Sequence, residues 1–251
     1  MQLKLYVIPG SHPCVAVEAA LALKGLHYER VDLLPGASPL IQLARFGKRT
    51  VPGLVVDGYK VSGSRLIMRT LDGLAPEPRL YTGDAAADDA ERWGDADLQD
   101  AARAIIVYAM WKRPEAGDSF TAGANLPQLP APVTTQATRA WFATELRFLL
   151  GGASATERWL GELPGLLDHV DELIEKGVIG GETPNAAGLQ IAASVRLLLT
   201  FADLRDAIDA RPAGRLARRL IPRYPGDVPA GTLPSGWIPS LAARPAVAAS
   251  A

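Results

Sequence analysis

The stretch RTVPGLVVDGYKVSGSRLIMRTLD, residues 49–72, contains the strongest structural signals in the chain. Residues 50–56 read as a buried strand, although proline donates no ladder hydrogen bond and is confined to strand edges, starts and bulges. We therefore expect the strand to begin at Pro52, with Val51 just outside it. A cis Val51–Pro52 bond would present the backbone N–H and C=O of Val51 to a ligand. The Asp57-Gly58 pair supplies two residues with positive φ, which predicts a tight hairpin turn.

Ser64 is expected to open the helix that follows this hairpin. A hydroxyl and free backbone N–H groups at a helix N-terminus suit a carboxylate or a phosphate. The segment therefore predicts a peptide-like backbone edge beside an anion pocket.

The residues before this stretch predict the rest of a small α/β domain. Residues 3–8 and 28–33 read as strands, and residues 13–24 read as a mostly buried helix with Ser11 as its N-cap. Residues 35–46 read as loop and short helix. The order βαβαββα predicts a four-stranded mixed sheet of the thioredoxin type in a domain spanning residues 1–76.

The rest of the chain predicts a second, all-α domain. Prolines and glycines mark residues 77–89 as a linker, and helical periodicity dominates from residue 90 to the proline-rich tail, which runs from about 221 to 251. The tail is expected to be extended. Helices are predicted near residues 134–150, 156–176 (with a kink at Pro164), 185–201, 203–210 and 213–220.

Composition excludes several classes of function. The 251 residues include 26 Lys and Arg against 27 Asp and Glu, so no basic excess favours nucleic acid. Arginines 211, 215, 218, 219 and 223 are expected on a solvated helix face. One cysteine and three scattered histidines predict neither a disulfide nor a metal site. No signal peptide or membrane-spanning stretch is evident, which favours a cytoplasmic protein.

Two stretches resemble the glutathione S-transferase superfamily. Residues 49–72 are similar to the V-P…D-G…E-S run of the family, and LYVIPGSHPCVAVEAALALKGLHYERVDL, residues 5–33, is similar to its opening strand, active-site loop, first helix and second strand. The resemblance implies a thioredoxin-like domain followed by a helical domain, usually as a homodimer. It also implies that glutathione is activated for attack on a small hydrophobic electrophile.

The resemblance places the catalytic groups in the sequence SHPC. Counted back from Gly25, Ser11 falls where serine-type members keep the catalytic hydroxyl, and Cys14 falls on the second cysteine of a C-x-x-C motif. The Ser11 hydroxyl would donate to the sulfur of glutathione and lower its pKa at a helix N-terminus, which stabilises a thiolate. His12, expected to be a partly exposed loop residue, would tune either neighbour.

The same resemblance implies the glutathione contacts. Val51, next to Pro52, would pair its backbone with the cysteinyl part, and Ser64, followed by Arg65, would bind the γ-glutamyl carboxylate. Lys48 would reach the glycine carboxylate. Gly63 stands where the family has an acidic residue for the γ-glutamyl amine, and such a charged hydrogen bond is worth about 1.5–3 kcal/mol. Another low-molecular-weight thiol, or an acid from a partner subunit, is therefore an open alternative.

The electrophile is expected between the domains, against Tyr108, Met110 and Trp111. Two alternatives to thiol transfer stay open. One is thiol–disulfide exchange through Cys14. The other is a non-catalytic module that binds an apolar ligand or a protein partner.

Overall fold

The computed structural model describes residues 1–126 and 131–242. Its first part is a four-stranded mixed sheet in the order β2-β1-β3-β4. The strands are β1 (Leu3–Val7), β2 (Glu29–Asp32), β3 (Gly53–Val56) and β4 (Tyr59–Ser62). Strand β1 pairs parallel to β2 and antiparallel to β3. With helices α1 (His12–Leu23), α2 (Ser38–Phe46) and α3 (Ser64–Leu74), the sheet forms the predicted thioredoxin-like domain.

The β3–β4 hairpin follows its sequence signals closely. Strand β3 begins at Gly53, directly after a cis Val51–Pro52 bond. Asp57 and Gly58 form the turn with φ of 46° and 92°, as predicted. Gly63 N–H donates to the carbonyl of Pro52 across 3.0 Å, so the start of α3 is fastened to the segment before β3.

The second part is helical. Its helices are α4 (Ala85–Trp93), α5 (Gln99–Lys112), α6 (Gly117–Thr121), α7 (Ala131–Phe148), α8 (Gly152–Glu175), α9 (Ala186–Leu198), α10 (Arg205–Asp209) and α11 (Pro212–Leu220). A π-helical turn, Gly94–Leu98, joins α4 to α5. Helix α4 begins inside the stretch predicted as a linker, because the Asp84 carboxylate caps it by accepting from the Ala86 N–H at 2.9 Å.

The two parts share one hydrophobic core. Helix α1 packs against α9, and α5 packs against α7, α8 and α9. Pro164 lies within a continuous α8. No helix of the described residues has the length and apolar character needed to span a membrane.

The described residues after α11, 221–242, contain no α-helix, in keeping with the prediction, and include one short 3-10 helix, Ser235–Trp237. Arg211 corrects the expectation of a solvated arginine face. Its side chain is only 1% exposed and pairs with Asp168 and Asp171 of α8, whereas the arginines 215, 218, 219 and 223 are exposed.

Candidate functional site

A cleft of about 1380 Å³ lies between the two parts of the molecule. Its floor comes from the thioredoxin-like domain: the loop from Ile8 into the start of α1, the loop from β2 into α2, and the residues before Pro52. Its other wall comes from α5, α6, α7 and the start of α8. Of the predicted site residues, the cleft is lined by Ser11, His12, Val51 and Met110.

Ser11 lines the floor where β1 gives way to α1. Its N–H donates to the carbonyl of Ile8 and its own carbonyl accepts from Val15 N–H, both at 3.0 Å, so the loop is tightly turned. Ser11 is the N-cap residue of α1, as predicted, but its hydroxyl makes no capping hydrogen bond among the described residues. The hydroxyl lies close enough to the thiol of Cys14 to lower the pKa of that thiol.

Cys14 is enclosed in the core and is only 1% exposed. Burial raises the pKa of its thiol to about 12, although the Ser11 hydroxyl opposes that shift. A nucleophilic cysteine needs an accessible thiolate. The environment of Cys14 therefore argues against the catalytic role that its place in S-x-x-C suggested.

His12 is buried rather than partly exposed, which corrects the sequence-based expectation. Burial lowers the pKa of its imidazole to about 3, and the Arg103 guanidinium adds to the shift, so the ring is neutral. The backbone carbonyl of Gln99 hydrogen-bonds the ring, and Nε2 has no partner in the described part of the chain. We assign the Gln99 contact to Nδ1–H, which leaves Nε2 as an acceptor.

The segment before Pro52 contributes its backbone edge to the cleft. Arg49, Thr50 and Val51 line the floor on the side of Ser11. Lys48 is exposed and is not among the described lining residues, so the cation of this segment nearest the ligand space is Arg49, which sequence reasoning missed.

Ser64 does not reach the cleft, because contacts between the domains occupy its hydroxyl. The hydroxyl donates to Asp95 Oδ1 at 3.3 Å and accepts from Gln190 Nε2 at 3.2 Å, and Ser64 is 3% exposed. A carboxylate beside the hydroxyl repels an anion, so this geometry argues against the predicted anion pocket.

The neighbours of Ser64 also serve structure. Helix α3 begins at Ser64, as predicted, and its N-cap is Gly63, whose φ of 93° disfavours a side chain. Arg65 pairs with Glu91 of α4 at 3.2 Å, again across the domain contact.

Helix α5 presents Met110 to the cleft, as predicted, but presents neither Tyr108 nor Trp111 there. Asp100, Arg103, Val107 and Met110 line it at helical spacing. The placement of Tyr108 and Trp111 in the pocket is wrong. Their rings contact each other on another face of α5, where Tyr108 also contacts Trp237. The helical periodicity of α5 could be predicted from the sequence. Which of its faces borders the cleft depends on how α5 packs against its neighbours, and no local pattern gives that.

Helix α7 provides apolar and polar side chains that sequence reasoning missed. Trp141 and Phe142 line the cleft beside Glu145, and Trp141 packs over Gly36 of the opposite domain. Burial raises the pKa of the Glu145 carboxyl, and a hydrogen bond from the Trp141 side chain partly opposes the shift. The resulting wall is mostly apolar with a few polar groups, which is typical of small-molecule sites.

The segment after α11 returns to the loop that carries Ser11. The Tyr224 hydroxyl donates to the carbonyl of Gly10 at 2.7 Å. The ring of Phe120 packs against both Gly10 and Gly226, at distances that leave no room for a Cβ on either residue. Sequence reasoning had assigned no role to this tail.

Residues 5–79 match the family profile described as "Glutathione S-transferase, N-terminal domain". No curated protein sequence matches the chain significantly. The structure is similar to that of the β-etherase LigF from Sphingobium sp. strain SYK-6, with a TM-score of 0.56, 18% identity and coverage of 87% of this chain and 99% of that one.

Two further solved structures show the same likeness. A glutathione S-transferase from Sinorhizobium meliloti 1021 has a TM-score of 0.58 and 15% identity, and the alignment covers 94% of this chain and 98% of that one. For glutathione transferase F2 from Populus trichocarpa the TM-score is 0.57 and the identity 15%, with coverage of 86% and 91%. At such low identity, these likenesses show a shared fold.

The fold and the cleft define a class of protein in which a thioredoxin-like domain and a helical domain enclose a cleft between them. The profile match places residues 5–79 with the glutathione S-transferase N-terminal domain, and the solved structures show that the rest of the described chain shares the fold of such proteins.

Proposed function

We propose that the protein activates a low-molecular-weight thiol, with glutathione as the first candidate, for attack on a hydrophobic electrophile. The observation that carries the proposal is that Ser11 and Val51 line one floor of the cleft, opposite the apolar wall of α5 and α7. A thiol on that floor and an electrophile against that wall are within reach of each other.

The chemistry required of the protein is modest. The Ser11 hydroxyl turns from Cys14 to the sulfur of the bound thiol and donates a hydrogen bond to it, which stabilises the thiolate and lowers the thiol's pKa. The thiol loses its proton to solvent. The sulfur then attacks the electrophilic carbon, forming a C–S bond as the leaving group departs with its electron pair.

Binding of the thiol differs from the pattern that the sequence suggested. The backbone of Val51 offers one donor and one acceptor to a peptide-like ligand, and Arg49 offers a cation for a carboxylate. The engaged Ser64 hydroxyl and the absence of an acid at Gly63 both weaken the case for a γ-glutamyl anchor. Glutathione is therefore expected to bind weakly, and a different small thiol fits the same floor.

A non-catalytic binding module is the second candidate. It is favoured by the contact of Ser64 with Asp95, because the Ser64 hydroxyl then serves the packing of the domains and is not free to bind a ligand. Thiol–disulfide exchange is disfavoured by the burial of Cys14 and by its pKa of about 12.

We also propose a homodimer, as the family resemblance implies. Tyr59 in β4 and Leu66 in α3 are 72% and 57% exposed, which is unusual for large apolar side chains and suits an interface. Light scattering coupled to size-exclusion chromatography measures the mass directly, and a monomer at micromolar concentration would contradict this proposal.

The experiment that tests the proposed function compares turnover of a model electrophile, 1-chloro-2,4-dinitrobenzene, by the wild type and two serine variants. Ser11→Ala is expected to lower kcat/KM at least about tenfold, which corresponds to roughly 1.4 kcal/mol of transition-state stabilisation. Ser235→Ala, at an exposed position outside the described cleft lining, is the matched control. Absence of both turnover and thiol binding in the wild type would favour the binding module.

A further inference from the structure

Residues 221–228, here called the strap, cross from the helical domain to the loop that carries Ser11. The strap is attached to the helical domain at both ends. Arg196 Nε donates to the carbonyl of Ile221 at 2.8 Å, and Val228 N–H donates to the carbonyl of Thr200 at 2.9 Å. Between these attachments, Tyr224 contacts the other domain.

The contact of Tyr224 is made at the residue before Ser11. Gly10 has a φ of 72° and forms the turn after β1, and its carbonyl accepts the Tyr224 hydroxyl at 2.7 Å. This carbonyl belongs to the peptide group whose N–H is that of Ser11, which donates to Ile8. One peptide plane is therefore held from both sides, and its orientation sets the direction in which the Ser11 side chain leaves the backbone.

Packing reinforces the hydrogen bond. The ring of Phe120 in α6 lies against Gly10 on one side and against Gly226 of the strap on the other. Ser119 holds the strap next to this ring, since its hydroxyl accepts from Asp227 N–H at 2.9 Å. The loop, α6 and the strap thus form one packed unit, in which the positive φ of Gly226, 108°, allows the close approach.

We infer that the strap positions the Ser11 loop, and that Tyr224 is the positioning residue through which it acts. Tyr224 does not touch the ligand space; it acts on the reacting groups through Gly10 and Ser11. The effect of the strap on catalysis rests on the proposed function. Its structural effect, which is to hold the Ser11 loop closed over Cys14, does not.

Cys14 provides a readout that is independent of turnover. Its sulfur lies close enough to the Ser11 hydroxyl and to Tyr224 for these groups to influence one another electrostatically. Since Cys14 is buried and its thiol pKa is about 12, alkylation requires the loop to open or the protein to unfold. Iodoacetamide labelling, followed by mass spectrometry, therefore measures how often the loop opens.

The test compares Tyr224→Phe with Tyr81→Phe. The control removes the same atom from another tyrosine. The Tyr81 hydroxyl donates to Glu91 at 2.5 Å and makes no hydrogen bond to the Ser11 loop among the described residues. Tyr224→Phe is expected to raise the rate of Cys14 alkylation at least about tenfold relative to the control. It is also expected to lower kcat at least about fivefold, with KM for the electrophile unchanged and the pKa of the bound thiol raised.

Equal alkylation rates in the two variants would overturn the inference, whether or not the wild type turns over any electrophile. If the wild type is inactive, the proposed function fails and the alkylation result alone decides on the strap. Should Tyr224→Phe fail to fold, Ser119→Ala serves in its place, because it removes the bond to Asp227 and leaves Tyr224 intact. It is expected to raise Cys14 alkylation in the same direction by a smaller factor, and an unchanged rate would contradict the role of the strap.

Discussion

At the first turn of α1, three neighbouring side chains have very different environments. Ser11 borders the cleft, His12 is buried with a neutral ring, and Cys14 is enclosed with a thiol pKa raised to about 12. The motif S-x-x-C suggested a catalytic role for each of the three residues. Because His12 and Cys14 are buried, Ser11 is the one whose side chain is best placed to act on a ligand.

His12 makes stability depend on pH. In the unfolded chain its imidazole takes up a proton below its ordinary pKa of 6.5, whereas in the folded protein it stays neutral down to about 3. The unfolded state therefore binds more protons, and stability falls as the pH drops from 6.5 towards 3. At pH 5, His12 is expected to lower the free energy of unfolding by about 2 kcal/mol relative to pH 7.5.

Urea unfolding of the wild type and His12→Asn at pH 7.5 and pH 5 measures this effect. The variant keeps a donor for the Gln99 carbonyl but has no titrating group. Its loss of stability between the two pH values should be smaller than that of the wild type by about the same 2 kcal/mol. Equal losses in both proteins would mean that His12 is protonated in the folded state.

At the scale of elements, the start of α3 is part of a polar contact between the domains. Gln190 of α9 donates towards Ser64, Asp95 and Gln99, which lie on three different segments. The contact joins α3, the π-helical turn, α5 and α9 at the place where an anion pocket was expected.

Ser64→Ala is therefore expected to act on stability rather than on ligand binding. Removing one hydrogen bond while Gln190 keeps its 3.0 Å bond to Asp95 should cost about 0.5–1.5 kcal/mol of unfolding free energy. Glutathione affinity, measured by calorimetry, should change less than about twofold. A tenfold loss of affinity would instead support an anion pocket at Ser64. Asp95→Asn would then be expected to strengthen binding, because it removes the neighbouring negative charge.

Local signals predicted the elements well and the functional contacts poorly. Pro52 and the Asp57-Gly58 pair determine their own backbone geometry, so the hairpin could be predicted from adjacent residues. The partners of Ser64 lie 31 and 126 positions away, and Tyr224 lies 214 positions from Gly10. Such partners depend on packing between domains, which no local pattern encodes.

Across the whole molecule, one buried cation fastens the end of the described chain. The guanidinium of Arg211 pairs with Asp168 and Asp171 of α8, and its Nη1 donates to the carbonyl of Leu241 at 3.0 Å. Asp171 also accepts from Ala213 N–H at 2.8 Å, so the same carboxylate holds the start of α11. The helical domain and the tail are joined at this point.

Arg211→Met is expected to destabilise the protein by about 3 kcal/mol or more, because it removes a buried guanidinium from two partly buried carboxylates. Arg218→Met is the matched control, since its pair with Asp209 is half exposed and should be worth less than about 1 kcal/mol. Urea unfolding measures both variants. A loss from Arg211→Met no larger than that of the control would show that the buried pair does not stabilise the fold.

The central claim is that Ser11 activates a thiol in the cleft between the domains. Its most direct test is a spectroscopic titration of the thiol of glutathione bound to the wild type and to Ser11→Ala. The account predicts that the bound thiol has a pKa below that of free glutathione in the wild type, and that Ser11→Ala raises it by about one unit, equivalent to roughly 1.4 kcal/mol. An identical pKa for the bound thiol in both proteins would contradict the account.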